Sequence, residues 1–409
     1  MAHVAVIGAG VTGVTSAYAL LEKGHSVTVF ERERYAAMET SFANGGQLST
    51  SNAEVWNHPS TLLKGIKWLF RKDAPLLVNL KPSWHKYSWL GEFIAQIPRY
   101  RRNTISTVRL ALEARRTLFA IAERENLEFD LEKRGILHVY WSRTGFEHAK
   151  RVNGLLGEGG LERHPVTAEE IRGLEPTLHG DFYGGFFTPS DATGDIHKFT
   201  RGLAAVCARR GAHFFYESSI QHVSVSEAGV RLQWLTAQGK TEEIATDAVV
   251  VCAGVASRRL AATLGDRINI YPVKGYSITV NLDDAKSRDA APWVSLLDDD
   301  AKIVTSRLGS GRFRVAGTAE FNGFNRDIRA DRVRPLVDWT RKLFPDVSTA
   351  RVVPWSGLRP MTPSMLPRVG AGRRPGVFYN TGHGHLGWTL SAATAGMIAD
   401  AVEVGLRGR

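Results

Sequence analysis

Cysteine is nearly absent from this 409-residue sequence, which contains only Cys207 and Cys252. Neither lies in a CxxC or another metal-like pattern, so the sequence argues against structural zinc and favours a reducing compartment. Runs of about 18 apolar residues, long enough to span a membrane, are also missing. The first apolar run, VAVIGAG, begins at Val4 and leaves no room for a signal peptide. We therefore expect a cytoplasmic protein without a bound metal.

Internal repeats and low-complexity tracts are absent as well. The remaining composition, 43% hydrophobic and 23% charged, is that of an ordinary globular protein. Single hydrophobic cores stop growing beyond roughly 250–300 residues. A chain of this length is therefore expected to form two closely packed domains.

The N-terminal stretch HVAVIGAGVTGVTSAYALLEKGHSVTVFER predicts a strand, a glycine turn, a helix and a second strand. Gly8, Gly10 and Gly13 have the G-x-G-x-x-G spacing, which allows a tight turn, close approach of a pyrophosphate and close packing of helix on strand. Glu31 ends the second strand, where a carboxylate can bind both ribose hydroxyls and disfavours a 2′-phosphate. Because the helix N-terminus also stabilises diphosphate charge, the motif predicts a dinucleotide site.

The segment ETSFANGGQLSTSNAEVW follows without a helical or strand period. It can be a surface loop, or it can wrap a long cofactor with its amide, hydroxyl and backbone N–H groups. The residues that would do so are Thr40, Ser41, Asn44, Gly45, Gly46 and Gln47.

Two later stretches fit a dinucleotide-binding domain. Residues Ala248–Cys252 predict a buried strand that runs into Gly254 and a helix. Near the C-terminus, PGVFYNTGHGHLGWTLSAATAGMIADAV predicts a strand, a glycine-rich turn and a long helix. The uncovered N–H groups around His385 and Leu386 can stabilise a negative charge at the helix start, or they can simply cap a structural helix.

In this order, these pieces resemble the amino-acid oxidase group of FAD enzymes, which includes glycine and sarcosine oxidases. The sequence is more similar to the bacterial D-amino-acid dehydrogenases. The resemblance extends from residue 4 to residue 402 and rests on the blocks ETSFANGGQLS, LLKGIKWLFRKDAPL, PSDATGDIHKF, YPVKGYSIT, GLRPMTP and TGHGHLGWTLS.

The resemblance implies a fold that combines an α/β domain with an α+β domain. We expect a discontinuous Rossmann-type FAD-binding domain at 1–56, 189–264 and 352–409. A substrate-binding domain, an antiparallel sheet with helices, would take 57–188 and 265–351. The sequence permits this division, because it predicts a helix at 105–124 and strands at 135–142, 271–282, 302–307 and 312–321.

The resemblance further implies FAD as cofactor. No cysteine lies where sarcosine oxidases attach their flavin, so we expect noncovalent binding. The residues expected to bind FAD are Gly8, Gly10, Val11, Thr12, Gly13, Glu31, Arg32, Ser41, Gly46, Gln47, Leu48, Val223, Cys252, Ala253, Gly254, Gly384, His385, Leu386, Gly387, Trp388 and Thr389.

Arg359 lies in SGLRPMTP between backbone-fixing residues, and the resemblance implies that it binds the substrate carboxylate. A planar guanidinium pairs bidentately with a carboxylate and so fixes its orientation. The alternative is a buried structural salt bridge. The implied reaction moves a hydride from the substrate Cα to flavin N5, after which water converts the imino acid to a 2-oxo acid and ammonia.

Three departures from the glycine-oxidase pattern leave the substrate open among D-alanine, D-proline and hydroxy-D-proline. Lys302 stands where those oxidases have a tyrosine that bonds the carboxylate, and we expect Tyr271 or Tyr276 to replace it. His385 aligns with a second oxidase arginine and can contact a polar group of the substrate. Ser364 and Met365 follow GLRPMTP in place of the usual Asp-Gly.

Charge raises the question of partners, because the formal net charge is +11. Residues 64–102 hold nine Lys/Arg against two acids, a net of +7, with seven aromatic residues interleaved. This pattern suits a solvated basic face, an anionic membrane surface or RNA, as in a tRNA-modifying flavoenzyme. The resemblance to dehydrogenases favours peripheral contact with the inner face of the cell membrane and electron transfer to a respiratory-chain acceptor such as a quinone. A flavin-binding protein without turnover is a further alternative, which Arg359 disfavours.

Overall fold

The structure is a computed structural model that describes residues 1–61 and 76–407. The helices in these ranges are α1 Val11–Glu22, α2 Trp84–Ala95, α3 Tyr100–Arg124, α4 Arg143–Glu158, α5 Ala168–Leu174, α6 Ile196–Arg209, α7 Ser257–Thr263, α8 Ala285–Ala290, α9 Ala330–Leu343 and α10 Gly387–Arg407. Short 3₁₀ turns lie at Ile97–Arg99, Gly254–Ala256 and Gly384–Leu386.

The strands in the same ranges form four sheets. They are β1 His3–Ile7, β2 Ser26–Phe30, β3 Gln47–Leu48, β4 Leu76–Val78, β5 Ile136–Tyr140, β6 His164–Val166, β7 Gly184–Thr188, β8 Ala192–Thr193, β9 His213–Phe215, β10 Ser219–Ser226, β11 Gly229–Leu235, β12 Thr241–Thr246, β13 Ala248–Val251, β14 Tyr271–Asn281, β15 Ser295–Asp298, β16 Ile303–Leu308, β17 Arg312–Phe321, β18 Val352–Met361, β19 Arg368–Ala371 and β20 Val377–Thr381.

The first sheet has the order β19-β20-β13-β1-β2-β9 in the described residues, and its pairs are parallel except β19 with β20. Its inner strands are continuous apolar runs such as AVVV in β13, as expected when both faces of a parallel sheet are covered. Helices α1, α6 and α10 pack on one face, and the small sheet β10-β11-β12 covers the other. The predicted strands at the N-terminus, at 248–252 and before the C-terminal helix are confirmed.

The second large sheet has the order β18-β14-β17-β16-β15-β5-β7-β6, with β4 beside β17, in the described residues. Its pairs are antiparallel except β15 with β5 and β17 with β4. One face packs against α9 around Phe313, Leu336 and Trp339. The four predicted strands of this region are present, and the helix predicted at 105–124 lies within α3. The combination of a parallel and a largely antiparallel sheet confirms the predicted fold class.

Strand β18 joins the two parts of the chain. It lies in the segment 352–409, which we assigned to the FAD-binding domain, yet it pairs along its whole length with β14 of the second sheet. The numerical domain boundaries stay a prediction, but the strand that carries Arg359 is part of the second sheet. Arg359 thereby projects from that sheet toward the space between the two.

No helix within the described residues is long and apolar enough to cross a membrane.

Candidate functional site

A cavity of about 770 Å³ lies between the carboxyl end of the parallel sheet and one face of the second sheet. The parallel sheet contributes the β1–α1 turn, the end of β2 and the segment that follows β13. The second sheet contributes backbone and side chains of β14 to β18 and of β5. Ligands of open parallel sheets bind at this carboxyl end, so the cavity lies where the sequence places a dinucleotide.

The glycines of the β1–α1 turn are fixed by their surroundings. Gly8 has φ +106°, and a Cβ there would lie 2.7 Å from the Cys252 carbonyl oxygen. A Cβ on Gly13 would overlap the Gly8 carbonyl oxygen, so only glycine lets α1 pack this closely on β1. Gly10 has room for a Cβ and lines the cavity at the helix start. The turn therefore offers an open backbone to an anionic ligand.

Glu31 lies at the end of β2 and is held by two backbone donors. Its carboxylate accepts hydrogen bonds from Ala9 N at 2.7 Å and from Glu33 N at 3.0 Å. Burial raises its pKa above the usual value, an effect that those two bonds oppose. The carboxylate is thus immobile at the cavity wall, where a ribose would offer its two hydroxyls.

The loop after β2 crosses from one sheet to the other. Ser41 Oγ accepts a hydrogen bond from Val11 N at 3.0 Å, so it caps the first turn of α1. Gln47 lines the cavity, but its side-chain amide bonds Ser295 Oγ at 2.8 Å and Leu296 O at 2.9 Å in β15. Gln47 therefore holds the loop to the second sheet. The short pairing of β3 with β8 is regular structure that the sequence did not predict.

The turn before α10 closes the cavity on the opposite side. Gly382 and Gly384 have φ of +78° and +60°, a region that favours glycine. A Cβ on Gly384 would lie 2.8 Å from Met361 Sδ. Trp388 lines the cavity, and its indole nitrogen is buried without a hydrogen-bond partner among the described residues. A buried donor of this kind fits a bound group with exposed acceptors.

The cavity brings together most of the residues predicted to bind FAD. Gly13 and Leu48 are the exceptions: Gly13 packs behind Gly8, and Leu48 is buried in the helix-covered core. Those that line the cavity are Gly8, Gly10, Val11, Thr12, Glu31, Arg32, Ser41, Gly46, Gln47, Val223, Cys252, Ala253, Gly254, Gly384, His385, Leu386, Gly387, Trp388 and Thr389.

Arg359 reaches into the same cavity from β18. Its guanidinium lies over Gly275 of β14, where a Cβ would overlap it, and its Nη1 donates to Thr318 O at 3.1 Å. Burial lowers its pKa to about 10, and within the described residues no carboxylate forms an ion pair with it. A buried cation without a counter-charge is costly unless a ligand supplies one. The arrangement therefore disfavours the structural salt bridge and fits an incoming carboxylate.

The acceptor of the Arg359 bond, Thr318, is itself strained. Thr318 has φ +61°, and the pairing of β14 with β17 shifts register between Lys274 and Tyr276, opposite this residue. Such a bulge re-aims the backbone next to a site. Strain of this kind at a cavity wall indicates a functional constraint, here the aim of the Thr318 carbonyl at Arg359.

His385 lies next to Arg359 and is neutral near pH 7. Burial, with a smaller contribution from Arg359, lowers its pKa to about 4. Its ring stacks on Trp56 with centroids 4.8 Å apart, and its Nε2 lies 3.4 Å from Asn52 O. Because a carbonyl only accepts, Nε2 carries the hydrogen and Nδ1 keeps its lone pair. His385 thus presents an acceptor rather than a charge.

The prediction that Tyr271 or Tyr276 bonds the substrate carboxylate stays a prediction; Tyr276 belongs to the cavity lining, but both hydroxyls have partners elsewhere. Side chains alternate along β14, so Tyr276 points to the face opposite Gly275 and donates to Glu320 Oε2 at 2.7 Å. Tyr271 lies outside the cavity lining, and its hydroxyl accepts from Gly323 N at 3.1 Å. Neither hydroxyl is directed at Arg359.

Four polar side chains lie together at the other end of the cavity, and the sequence analysis identified only one of them, Lys302. His138 and Tyr140 project from β5, Arg163 follows α4, and Lys302 bonds Asp299 Oδ1 at 2.5 Å. The sequence feature that could have found two of them is the alternation in ILHVY, which puts His138 and Tyr140 on one face of a strand.

A glycine turn at the carboxyl end of a parallel sheet, with a cavity beside it, is typical of dinucleotide-dependent proteins, and the comparisons give the family. A family model described as FAD dependent oxidoreductase (DAO) matches residues 3–401, and the chain belongs to this family. The family and the FAD cofactor predicted from the sequence are confirmed.

Individual relatives agree with this assignment. D-amino acid dehydrogenase 3 of Mesorhizobium japonicum is 64% identical over 407 residues, which cover 99% of this chain and 98% of that protein. A D-amino acid dehydrogenase of Paramagnetospirillum magneticum is 44% identical, with 98% and 94% covered. Among solved structures, glycine oxidase from Geobacillus kaustophilus matches with a TM-score of 0.76 at 23% identity, covering 99% of this chain and 95% of that one. At that identity the structural likeness shows the fold alone.

Three histidines at the cavity predict how stability depends on pH. Burial lowers the pKa of His383 to about 3, that of His385 to about 4 and that of His138 well below its ordinary value. Below pH 6.5, the usual histidine pKa, the unfolded chain binds protons that the folded protein does not, so stability is lost as pH falls. We expect each histidine to remove roughly 1.3 kcal/mol from the free energy of unfolding between pH 7 and about 5.5, with a slope that approaches about 1.4 kcal/mol per pH unit at lower pH.

The measurement is the thermal unfolding midpoint of the holoenzyme between pH 7 and about 5.5. Glu31 and Asp191 have raised pKa values and act in the opposite sense, which is why the lower limit stays above the carboxylate range. His383→Gln should flatten the slope. Equal slopes in wild type and this variant would contradict the prediction.

Proposed function

We propose that this protein oxidises D-amino acids with FAD, binding the substrate carboxylate on Arg359. The observation that carries the proposal is the buried guanidinium without an ion-pair partner in the described residues, facing the cavity that the FAD-binding turn also lines. The D-amino acid dehydrogenase names of relatives that cover nearly the whole chain support this substrate class. D-alanine, D-proline and hydroxy-D-proline remain the candidate substrates.

Arg359 does two things in this proposal. Its two-pronged pairing fixes the position of the carboxylate and the rotation of the substrate about it. The Thr318 carbonyl and the absence of a side chain at Gly275 hold the guanidinium in one place, so the substrate Cα–H keeps one direction. Orientation of this kind is a large part of the rate in a transfer reaction.

His385 acts as a neutral neighbour of the amino group. A protonated imidazole would repel the substrate ammonium, and the depressed pKa prevents that at neutral pH. Its Nδ1 lone pair can accept a hydrogen bond from the amine and align the nitrogen lone pair with the breaking Cα–H bond. Trp56 and Asn52 O keep the ring in that orientation.

FAD, when bound, supplies the acceptor for the hydride that leaves the substrate Cα. The oxidised product is an imino acid, which water hydrolyses to a 2-oxo acid and ammonia. The residues that would hold the cofactor are the β1–α1 turn, Glu31, Ser41 and the turn before α10. Two observations indicate that these residues fit FAD: the glycine contacts that keep the backbone of both turns open, and the buried indole N–H of Trp388, which has no hydrogen-bond partner in the described residues.

The test is anaerobic mixing of the purified protein with a panel of D- and L-amino acids while the flavin absorbance is followed. We expect a yellow protein that releases intact FAD on denaturation and is bleached by D-amino acids. Bleaching by L-amino acids alone, or by none of the panel, would sink the proposal.

We further propose that the electrons pass to a quinone at a membrane surface. Residues 64–75 of the basic segment lie outside the described residues. In the rest, Leu80, Trp84 and Tyr87 are 72%, 83% and 50% exposed beside the exposed Lys81. Aromatic and basic side chains in this combination suit the interface of an anionic bilayer.

Other parts of the predicted basic segment do not face outward. Lys86 is buried and its ammonium donates to the carbonyls of Asn79 and Lys81. Trp89 and Phe93 stack on one another in a buried cluster, because residues four apart share one face of α2. The surface proposed for membrane contact is therefore limited to Leu80, Lys81, Trp84 and Tyr87, which we name the α2 patch.

Removal of the α2 patch should weaken membrane contact. We expect Lys81→Glu combined with Trp84→Ser to reduce sedimentation with anionic vesicles at low salt, since each basic residue near the surface contributes about 1 kcal/mol. Quinone reduction in vesicles should fall, whereas reduction of a soluble dye should persist because no residue of the patch lines the cavity. Wild-type protein that does not sediment with vesicles, or that instead binds tRNA in a salt-dependent way, would contradict membrane contact.

A further inference from the structure

A second buried guanidinium lines the cavity at the end remote from the FAD-binding turn. Arg163 is 6% exposed. One of its terminal nitrogens donates to Tyr140 Oη at 3.3 Å, and its Nε has no hydrogen-bond partner in the described residues. No carboxylate within those residues pairs with it. Unsatisfied buried donors on a cation indicate a missing acceptor.

The surroundings of Arg163 hold it in place without neutralising it. Its guanidinium lies 4.7 Å from the Phe186 ring centroid, and its carbonyl accepts from Asn153 Nδ2 at 3.3 Å. The nearby acids have other donors, since Asp299 accepts from Lys302 and Glu54 accepts from Tyr100 at 2.6 Å. Both carboxylates line the cavity as well, but neither forms an ion pair with Arg163 in the described residues.

Three charges act on the Tyr140 hydroxyl, those of Arg163, Asp299 and Lys302, and the last two are bound to each other. Burial lowers the pKa of His138, and the charges of Arg163 and Lys302 lower it further. His138 is therefore neutral and bonds Ser51 Oγ at 2.9 Å. A neutral imidazole and the Tyr140 hydroxyl lie beside Arg163, which has no ion-pair partner in the described residues, and this environment stabilises an anion. We name Arg163, Tyr140, His138 and Lys302 the Arg163 lobe.

We propose that the Arg163 lobe binds a carboxylate in addition to the one that Arg359 binds. A planar fork next to a tyrosine hydroxyl matches a carboxylate, which accepts two parallel bonds from the fork and a third from the hydroxyl. This inference rests on the proposed function only in assigning the substrate carboxylate to Arg359.

The position of the lobe indicates where the carboxylate comes from. Thr318, which holds Arg359, is in β17, and Tyr140 is in β5, with β16 and β15 between them. Three strand spacings amount to about 14 Å. The lobe and the Arg359 site therefore lie at different strands of the second sheet, and a carboxylate at the lobe can belong to a second molecule, such as an incoming amino acid or the departing 2-oxo acid. The side chain of an acidic substrate is the other source of the same chemistry.

The test uses the holoenzyme with acetate as the probe and acetamide as its neutral match. D-alanine oxidation is followed with a dye while acetate is titrated in wild type, Arg163→Gln, Arg163→Lys and Arg109→Gln, a control at an exposed position of α3. In wild type we expect acetate inhibition that persists at saturating D-alanine. Arg163→Gln should weaken this component about 10- to 100-fold, the value of a hydrogen-bonded charge, and Arg163→Lys less. Arg109→Gln and acetamide should show no such effect.

A second arm separates the two sources. If the carboxylate is a substrate side chain, the ratio of kcat/KM for D-glutamate to that for D-glutamine falls in Arg163→Gln and acetate inhibits only competitively. Purely competitive acetate inhibition together with an unchanged ratio overturns the proposal. If Arg163→Gln loses FAD or unfolds, the same measurements are made on Tyr140→Phe, because that variant removes only the hydroxyl that would bind the carboxylate. If no D-amino acid reduces the flavin, acetate binding is measured by calorimetry instead. Weaker binding by Arg163→Gln than by wild type supports the carboxylate site, and equal binding overturns it.

Discussion

Arg359→Met should lower kcat/KM for D-amino acids by a factor on the order of one hundred or more. The substitution keeps an unbranched side chain but removes the partner of the substrate carboxylate, whose loss costs roughly 3–5 kcal/mol when the pair is buried. Because Arg359 also sets the direction of the Cα–H bond, kcat should fall together with the affinity. Stopped-flow reduction of the flavin under anaerobic conditions measures both quantities.

Two further variants serve as controls for Arg359→Met. Arg359→Lys keeps the charge without the planar fork and should lie between wild type and Arg359→Met. Arg116→Met, at an exposed position of α3, should leave the kinetics unchanged. FAD content should be normal in all three proteins, since the β1–α1 turn, where we expect FAD to bind, belongs to the parallel sheet and Arg359 to the other one. Normal kinetics in Arg359→Met would make Arg359 a structural residue and remove the main support for the proposed function.

The N-terminal part of the site was predictable because its determinants are close together in sequence. Gly8, Gly10, Gly13 and Glu31 lie within one strand–turn–helix–strand unit, and the spacing alone implies which backbone groups meet. The structure adds the contacts that make glycine necessary, the Cys252 carbonyl at Gly8 and the Gly8 carbonyl at Gly13. The sequence spacing therefore predicted the motif, and the structure gives the physical reason why glycine is needed at Gly8 and Gly13.

The surroundings of Arg359 could not be predicted in the same way. The residue was found through the GLRP block, but its position depends on the pairing of β14 with β17 and β18, which are far apart in sequence. The bulge that gives Thr318 its positive φ is a property of that register. The same register turns the Tyr276 side chain to the face opposite Gly275, and the sequence analysis, which offered Tyr276 in place of the tyrosine missing at Lys302, had no means of knowing that face.

Arg163 is a residue whose role could not be predicted from the sequence at all. It lies in a short loop before β6, in a sequence that contains no motif, and it reaches the cavity only because α4 and β5 pack beside it. Burial without a counter-charge is what distinguishes it from the many exposed arginines of a protein with net charge +11. That property exists only in the folded chain.

Gly13→Ala and Gly10→Ala should separate the fold of the turn from its affinity for the cofactor. A methyl group at Gly13 overlaps the Gly8 carbonyl oxygen, and neither backbone segment can move without separating α1 from β1. We expect a loss of about 3 kcal/mol in the free energy of unfolding, the upper end of overpacking costs, with little FAD retained. Denaturant unfolding of the apoprotein and absorbance of the purified protein measure the two effects.

Gly10→Ala should behave differently, because Gly10 has φ −71° and an added Cβ would lie 3.5 Å from Ser41 Oγ, an ordinary contact. The apoprotein should therefore keep its stability, whereas the methyl group occupies the helix start where the diphosphate approaches. We expect the Kd for FAD to rise at least about tenfold, which corresponds to roughly 1.4 kcal/mol. Gly154→Ala in α4, with open space around it, controls for the substitution itself and should stabilise by about 0.5–1 kcal/mol. Equal FAD affinity in Gly10→Ala and Gly154→Ala would show that the diphosphate does not lie at this helix N-terminus.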